Sequence, residues 1–392
     1  MRFQSHLNTA VNLIRQYNGS MPLSHYLKQY FAQHKKHGSK DRKYIAHLCY
    51  CYYRTGHAFA ILDVEESIKT SLFLCNAEAG EWQVLFKEEW LKNWNKELAV
   101  KISFIKTIYP YFYAKQIFPF GHALSETIDA TAFSQSHLIQ PDLFLRIRPG
   151  KKEQVIEKLK AGNIIFNEVA NGCLALASTT KIETILLVNK EVVVQDYSSQ
   201  KIQAFLQLQT INHKPLTSVW DCCAASGGKS ILAIDTLKNI MLTVSDIRPS
   251  IMNNLKKRFA EAGIKKYNSF IADLTKAPLN IQYTPFDLII CDAPCSGSGT
   301  WGRTPEQLFF FNEEKIKEYA DLQKKIVQNV ITKLDKHGYF LYITCSVFKQ
   351  ENEEVAAFIC NNCNMQLVKQ ELIKGYDKKA DTMFAALYTP LL

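Results

Sequence analysis

The stretch Val219-Trp220-Asp221-Cys222-Cys223-Ala224-Ala225-Ser226-Gly227-Gly228-Lys229-Ser230 decides the fold of the C-terminal half of the chain. Its pattern predicts a short buried strand, a turn of small residues and the start of a helix. Small residues let backbone amides approach a ligand closely, and a helix N-terminus favours negative charge. The turn has neither the GxGxxG nor the GxxxxGK spacing of nucleotide-phosphate loops, so a nucleotide phosphate is not the favoured ligand.

The alternation of strand and helix continues from about Phe205 onward. Apolar runs predict strands at residues 218–222, 241–246, 268–273, 286–292 and 339–344. Such alternation is typical of a doubly wound, mostly parallel sheet, so the predicted fold class is α/β and Rossmann-like. Because ligands bind these sheets at the carboxyl ends of the strands, we expect the functional residues there.

Two segments of different pattern precede the predicted sheet. In residues 1–136 the apolar side chains recur at helical spacing, which predicts an all-helical domain. Residues 137–204 predict a small α+β module, with strands at 143–147, 164–166 and 191–194 and a helix at 152–161. Together with the α/β domain at 205–392, the chain is predicted to have three domains.

Composition narrows the compartment and excludes some classes of site. No apolar stretch approaches the roughly 20 residues that span a bilayer, and the first residues lack the apolar core of a signal peptide, so we expect a cytoplasmic protein without a membrane anchor. The eleven cysteines are scattered through a large chain, which favours reduced thiols. Cys360 and Cys363 have CxxC spacing, but no second pair lies nearby, so no metal site is predicted.

Positive charge is concentrated at the N-terminus. Residues 1–60 contain nine lysines and arginines, seven tyrosines and one acid, Asp41. A polyanion is a natural partner for such a segment, because neutralising phosphates releases counterions and drives nucleic-acid binding. The alternative is a solvated basic helical face without a partner.

Acidic residues end two of the predicted strands. Asp246 lies about 20 residues past the glycine turn, where doubly wound folds place a carboxylate against ribose hydroxyls, and Asp273 is positioned to accept from an adenine amino group. A single acid at a strand end is often a helix N-cap, but two acids in register with the turn predict an S-adenosylmethionine site. The candidate cofactor-binding residues are Cys223, Ala224, Ala225, Ser226, Gly227, Gly228, Lys229, Asp246, Asp273 and Asp292.

Cysteines follow two other predicted strands. Cys295 lies in Asp292-Ala293-Pro294-Cys295-Ser296-Gly297 and Cys345 in Tyr342-Ile343-Thr344-Cys345-Ser346. The two thiols are therefore expected to face one crevice. Taken alone, each cysteine would be a small buried hydrophobic residue at a strand end.

With these motifs the chain resembles the Sun/RsmB-type RNA cytosine methyltransferases, which make 5-methylcytosine. The resemblance extends to Gln195-Asp196-Tyr197-Ser198-Ser199-Gln200 and to Asp381-Thr382-Met383-Phe384-Ala385-Ala386. Gly38-Ser39-Lys40-Asp41-Arg42-Lys43-Tyr44-Ile45 is similar to the NusB-like helical domain of the bacterial ribosomal RNA branch. Three positions depart from the family pattern: Ser226 stands where proline is usual, Arg148 where asparagine is common and Thr382 where glycine is usual.

The resemblance implies a mechanism that requires thiols. Carbon 5 of cytosine is a poor nucleophile, so a thiolate adds at carbon 6 and gives an enamine whose carbon 5 can attack a methyl group. It implies that Cys345 is the nucleophile, that Cys295 assists release, and that Asp292 contacts the base edge and stabilises its protonated ring nitrogen. Lys229 is either a charge partner that stabilises the thiolate or a cap of the turn.

Other expectations concern RNA and the turn after Thr344. Arg146, Arg148 and Arg303 are candidates for phosphate contacts, and Glu351-Asn352-Glu353 is predicted to form a capping arrangement that fixes the Thr344-Cys345 turn. The target base must be unpaired or taken out of its stack.

The sequence thus predicts S-adenosylmethionine-dependent methylation of carbon 5 of a cytosine in RNA by a monomeric enzyme. Small-subunit ribosomal RNA is the favoured substrate and transfer RNA is the second. Two alternatives stay open. One is an RNA-binding ribosome-assembly protein without turnover, and the other is a methyltransferase that acts on protein or a small molecule.

Overall fold

The computed structural model describes residues 2–208, 217–279, 281 and 285–391. The described residues form two compact units. The first contains the residues up to 124 together with 128–140 and 300–313, and the second contains the remainder. The residues 300–313, which the predicted boundaries assign to the α/β domain, thus cluster with the helical segment, and the division into three domains stays a prediction.

The first unit is helical. Its helices are α1 (Arg2–Gln16), α2 (Leu23–Gln33), α3 (Ser39–Arg54), α4 (Val64–Cys75), α5 (Glu88–Lys92), α6 (Leu98–Ile108) and α7 (Ala130–Ser136). Apolar side chains at helical spacing, such as Leu7 and Ile14 in α1 and Ile45 and Leu48 in α3, form its core. The amphipathic period that predicted an all-helical segment therefore corresponds to the buried faces of these helices.

Residues 300–313 are joined to this helical unit by buried polar groups. The Arg54 guanidinium donates to the carbonyl oxygens of His137 and Gly302 at 3.0 and 2.9 Å. The backbone N–H of Leu23, at the start of α2, donates to the Glu306 carboxylate at 3.1 Å. Such groups need a partner when they are removed from water, so they fix this segment on the helical unit.

The second unit begins with a small sheet. Its elements are β1 (Leu143–Ile147), α8 (Lys152–Ala161), β2 (Asn167–Ala170), β3 (Cys173–Leu176) and β4 (Val192–Val194), and the antiparallel strand order is β2-β3-β1-β4. The predicted α+β module is present, but the strand predicted at 164–166 is wrong, because pairing begins only at Asn167. The short, fully buried β3 was not predicted.

Two short helices, α9 (Tyr197–Lys201) and α10 (Gln203–Leu208), lead to the large sheet. The sheet and the helices around it are β5 (Ser218–Asp221), α11 (Gly228–Leu237), β6 (Met241–Asp246), α12 (Pro249–Glu261), β7 (Asn268–Ile271), β8 (Phe286–Asp292), α14 (Glu314–Ile331), β9 (Leu334–Thr344), α15 (Glu353–Asn362), β10 (Met365–Ile373) and β11 (Met383–Pro390). Helix α13 (Pro305–Phe310) lies between β8 and α14 in the chain but belongs to the first unit. In the described residues the order is β10-β11-β9-β8-β5-β6-β7. The five predicted strands β5 to β9 are parallel, which confirms the Rossmann-like class.

The order of the sheet creates a crevice beside β5. The chain runs from β5 outward through β6 and β7 on one side and through β8 and β9 on the other, so the strand order reverses between β5 and β8. Ligands bind such sheets at this switch point, beyond the carboxyl ends of the strands. Among the described helices, none combines the length and the apolar composition that a bilayer crossing requires.

Both faces of the sheet are buried. Leu288 and Ile290 of β8 belong to one apolar cluster, and Ile289 and Cys291 belong to the cluster on the opposite face. Alternate residues of a strand point to opposite faces, so a strand covered on both sides shows the continuous apolar run seen in the sequence.

Candidate active site

A pocket of about 480 Å³ opens at the carboxyl ends of β5, β6 and β8. Five of the predicted cofactor-binding residues line it: Cys223, Ala225, Asp246, Asp273 and Asp292. The other five, Ala224, Ser226, Gly227, Gly228 and Lys229, are absent from its lining. Cys223 and Ala225 of the turn therefore face the pocket, whereas the other residues of the turn do not line it.

Gly227 shows why the turn requires a glycine. Its φ is +83°, and a Cβ atom placed there would lie 2.5 Å from the Phe259 ring of α12. Ser226, which stands where the family has proline, accepts a hydrogen bond from the Arg258 guanidinium at 3.0 Å through its hydroxyl. The side chain that replaces the rigid proline is thus held by α12.

Asp246 ends β6 at the pocket wall. Its carboxylate accepts hydrogen bonds from the backbone N–H of Ala225 at 3.2 Å and from the Arg248 backbone and guanidinium at 2.9 and 3.0 Å. Burial opposes its ionisation, but the hydrogen bonds from Arg248 outweigh burial and hold the pKa of Asp246 below its usual value. An ionised carboxylate at this position is the acceptor that ribose hydroxyls need.

Asp273 makes the local contacts of a turn. One carboxylate oxygen accepts from the Thr275 hydroxyl at 2.6 Å and from the Thr275 N–H at 3.1 Å, and these bonds lower the pKa of Asp273. The side chain still lines the pocket. Both the capping interpretation and the ligand interpretation are therefore compatible with its position.

Sequence reasoning missed several pocket residues. Ile247, Arg248, Leu274, Tyr319 and Ile326 also line the cavity. The signal for Ile247 and Leu274 was their place directly after the two strand-end acids, where an apolar side chain can cover a flat base. Tyr319 and Ile326 lie on α14, more than 40 residues beyond β7, and no local pattern marked them.

The two predicted reactive thiols meet. Cys295 follows β8, Cys345 follows the parallel neighbour β9, and their Sγ atoms lie 3.2 Å apart. The hydrogen bond with Cys345, together with burial, raises the pKa of Cys295 well above its usual value. Cys295 therefore stays a thiol that can donate to the sulfur of Cys345.

Both cysteine loops are tied to one buried carboxylate, Glu351. It accepts from the backbone N–H of Ser296 at 2.9 Å, from the Ser346 hydroxyl at 2.6 Å and from the Gln323 amide at 3.0 Å. Burial raises its pKa, and these hydrogen bonds act in the opposite direction. Asn352 adds a link, because its side-chain oxygen accepts from the Thr344 hydroxyl at 2.6 Å. The structure thus has a polar network beneath the Thr344-Cys345 turn.

Asp292 and Lys229 form an ion pair beside the thiols. The Lys229 ammonium lies 3.1 Å from the Asp292 carboxylate, and the Lys229 side chain is almost fully buried. Lys229 therefore orients Asp292. This contact differs from both roles considered for the lysine in the sequence, a cap of the turn and a direct partner of a thiolate.

Two predicted phosphate contacts are wrong. Arg146 and Arg148 both bind the buried Asp235 of α11 at 2.7 Å, and Arg148 also donates to the carbonyl oxygen of Asn189 at 3.1 Å. Their guanidinium groups thus join the small sheet to α11. The sequence could not reveal this, since Asp235 lies almost 90 residues away.

The pocket offers the groups that S-adenosylmethionine requires. It combines an ionised acceptor at Asp246, apolar side chains at Ile247 and Leu274, and the backbone turn at Ala225. These are the groups that a ribose, an adenine ring and a polar amino-acid tail need. The residues therefore fit the cofactor.

A sheet of this order, with a glycine turn after its first strand and an acid at the end of the second, is the fold of the Rossmann-like, S-adenosylmethionine-dependent methyltransferase class. The family follows from residues 206–390, which match the family described as 16S rRNA methyltransferase RsmB/F. This part of the chain matches that family's model, and the resemblance and the cofactor predicted from the sequence are confirmed.

Relatives and solved structures agree with this assignment. Over 229 residues the chain is 31% identical to "Probable ribosomal RNA small subunit methyltransferase B" of Bacillus subtilis, covering 57% of this chain and 50% of that protein. It is 26% identical to "Ribosomal RNA small subunit methyltransferase B" of Xylella fastidiosa strain Temecula1, covering 60% and 54%. The chain thus spans about half the length of these curated relatives.

Two crystal structures share the fold. That of PH0851 covers 97% of this chain and 96% of its own, at 20% identity and a TM-score of 0.69. That of NSun6 from Pyrococcus horikoshii with SFG covers 70% and 97%, at 14% identity and a TM-score of 0.60.

Proposed function

We propose that this chain methylates carbon 5 of a cytosine in RNA through a covalent bond between Cys345 and carbon 6 of the base. The observation that carries the proposal is the pair of thiols 3.2 Å apart at the carboxyl ends of β8 and β9. Methyl transfer to a nucleophilic nitrogen or oxygen needs no thiol, whereas carbon 5 must be activated by addition at carbon 6. Two adjacent sulfurs next to the cofactor pocket fit that need.

Small-subunit ribosomal RNA is the proposed substrate. The Bacillus subtilis and Xylella fastidiosa relatives are named as ribosomal RNA small subunit methyltransferases. The basic residues 1–60 of the helical unit supply cations for a phosphate backbone. In this proposal the NusB-like helical domain binds RNA. The target base is flipped out of its stack so that it reaches Cys345.

Different residues bind the cofactor and activate the base in the proposed reaction. Asp246 and Asp273 hold the ribose and adenine of the cofactor. S-adenosylmethionine, when bound, supplies the electrophilic methyl group that carbon 5 of the activated ring attacks. The Cys345 thiolate forms the bond to carbon 6. Asp292, oriented by Lys229 at 3.1 Å, binds the protonated ring nitrogen and keeps its proton in place, and this proton neutralises the negative charge that the addition moves into the ring.

Release reverses the addition. The proton on carbon 5 leaves to a solvent base, the bond between carbon 6 and Sγ breaks, and its electron pair returns to the sulfur of Cys345. The raised pKa of Cys295 keeps this residue protonated, so its S–H group can donate a hydrogen bond to the departing thiolate. Cys295 thereby assists release without forming a bond to the base.

The test uses unmodified small-subunit ribosomal RNA and transfer RNA with methyl-labelled cofactor. Wild-type protein is compared with Cys345→Ala, Cys295→Ala and the control Cys363→Ala, which replaces a thiol outside the pocket. We expect label in ribosomal RNA for wild type and the control, none for Cys345→Ala, and a denaturation-resistant protein–RNA adduct for Cys295→Ala. Full activity of Cys345→Ala would refute the mechanism. RNA binding without label in any protein would favour an assembly factor, and label in transfer RNA alone would reassign the substrate.

A further inference from the structure

Three thiols outside the proposed catalytic pair converge in the wall of the cofactor pocket. Cys222 and Cys223 follow β5, and Cys291 is the penultimate residue of β8. The Cys222 N–H donates to the carbonyl oxygen of Ile290 at 2.9 Å, which places Cys222 beside Cys291. The three Sγ atoms all lie within 4.8 Å of one another.

The cluster combines a dry interior with one open side. Cys222 and Cys291 are fully buried among the apolar side chains of one face of the sheet. Cys223 is partly exposed, and both Cys222 and Cys223 line the pocket. A small ion could therefore reach the sulfurs through the pocket, while the apolar side chains exclude water from the opposite side.

The separation of the sulfurs suits a metal ion. A tetrahedral ion with Zn–S bonds of about 2.3 Å holds its sulfur ligands about 3.8 Å apart. The Sγ atoms are already within 4.8 Å, so each has to move by less than about 1 Å to reach that geometry, a shift that small side-chain rotations supply. Three sulfur donors select thiophilic ions such as Zn²⁺ and Cu⁺ and disfavour Mg²⁺ and Ca²⁺.

The surroundings of the cluster also favour a cation. Asp221, the residue before Cys222, is fully buried, and its Oδ1 atom accepts no hydrogen bond from the described residues. A cation held by the neighbouring sulfurs would compensate the burial of this carboxylate.

We propose that Cys222, Cys223 and Cys291 form a binding site for one thiophilic d¹⁰ metal ion, Zn²⁺ or Cu⁺, with an open coordination position facing the cofactor pocket. The metal site uses neither of the thiols proposed for methyl transfer, Cys345 and Cys295, although it shares Cys223 with the predicted cofactor-binding turn. It explains why three cysteines meet where packing alone requires only small apolar side chains.

The experiment titrates the full, reduced chain with Zn²⁺ in competition with a chromophoric chelator, and in a parallel arm with Cu⁺ under anaerobic conditions. Wild type is compared with Cys223→Ser and Cys291→Ser. Two double variants are the controls: Cys295→Ser with Cys345→Ser removes the other close thiol pair, and Cys360→Ser with Cys363→Ser removes the CxxC pair.

We expect wild type and both controls to bind one equivalent tightly. Substitutions of the groups that contact a metal's ligands cost about 10–100-fold in metal affinity. Cys223→Ser and Cys291→Ser replace proposed ligands themselves, so each should weaken zinc binding by more than that. X-ray absorption of the zinc-loaded wild type should show three sulfurs at about 2.3 Å, a result that does not depend on any variant folding.

The proposal is overturned if wild type binds no tight equivalent, if the Cys295/Cys345 double variant loses it, or if absorption shows fewer than three sulfur neighbours. Circular dichroism and urea unfolding verify that Cys223→Ser, which changes a partly exposed side chain, is folded. Unchanged zinc affinity in this folded variant would also overturn the site.

Discussion

Replacing Glu351 with glutamine should disturb the position of the two thiols without changing the cysteines themselves. Glu351 has no step in the proposed reaction, but its carboxylate accepts hydrogen bonds from Ser296 and Ser346, which lie in the loops of the two cysteines. Glutamine keeps the shape of the side chain and removes its charge. If the Ser346–Glu351–Ser296 links position Cys345 and Cys295, this substitution should lower turnover although both thiols are still present.

The size of the effect follows from three hydrogen bonds at 2.6–3.0 Å. A hydrogen bond to a charged group contributes about 1.5–3 kcal/mol and a neutral one about 0.5–1.5 kcal/mol. Three such losses are partly offset because the buried carboxylate, whose pKa burial raises, no longer has to be desolvated. We therefore expect a decrease of about 2 kcal/mol in the free energy of unfolding. Alanine would leave three buried donors without an acceptor, at about 1–3 kcal/mol each, and is the less informative change.

The assays are urea unfolding and single-turnover methylation at saturating cofactor. Misplaced reacting groups cost about 100-fold in rate, so we expect a loss of about 10–100-fold in turnover with unchanged cofactor affinity. The control is Glu354→Gln, the same change at an exposed carboxylate three residues on. Turnover of Glu351→Gln equal to that of Glu354→Gln would refute the positioning role.

Three further predictions concern other parts of the chain. Asp246→Asn should weaken cofactor binding by about 10–100-fold, the equivalent of a hydrogen bond to a charged group, and calorimetry that finds unchanged affinity would contradict the ribose assignment. His137 is buried and its pKa is lowered from 6.5 to about 4, so the folded state excludes a proton that the unfolded state binds. The contribution of His137 to the free energy of unfolding should therefore be complete above pH 6.5 and fall by about 3 kcal/mol toward pH 4. Denaturant titrations should not find this decrease in His137→Asn. Arg148→Ala removes one of the two guanidinium groups that bind Asp235, while Arg146 still pairs with it, so it should cost about 1.5–3 kcal/mol in urea unfolding without changing the salt dependence of RNA affinity. A smaller salt slope would restore the predicted phosphate contact of Arg148.

The parallel strands were predictable because each carries a physical signature that is local. A strand buried on both faces must be apolar throughout, and β5, β6 and β8 therefore agree with the predicted 218–222, 241–246 and 286–292 to within one residue. Strand β10 was missed because its exposed positions carry Gln366, Gln370 and Glu371, which interrupt any apolar run. Its antiparallel partner β11 follows only after residues 374–382, so no tight two-residue hairpin turn marks the pairing in the sequence.

The site could be predicted only in part for the same reason. The topology alone brings Cys295 and Cys345 to one edge of the sheet, but the 3.2 Å separation of their sulfurs and the hydrogen bonds of Glu351 to both loops are tertiary contacts that no local pattern reveals. The guanidinium of Arg148 looked available in the sequence, yet Asp235 neutralises it. Likewise, the convergence of Cys222 and Cys291 arises from the pairing of β5 with β8, which no spacing in the sequence reveals.

The most direct test of the central claim is to identify the atom that bonds to the base. Small-subunit ribosomal RNA containing 5-fluorocytidine is incubated with the wild-type protein and cofactor; fluorine at carbon 5 cannot leave as a proton does, so the covalent intermediate accumulates. Digestion and mass spectrometry then locate the modified peptide. The account predicts a nucleotide attached to Cys345, and attachment at Cys295, or no covalent complex at all, would contradict it.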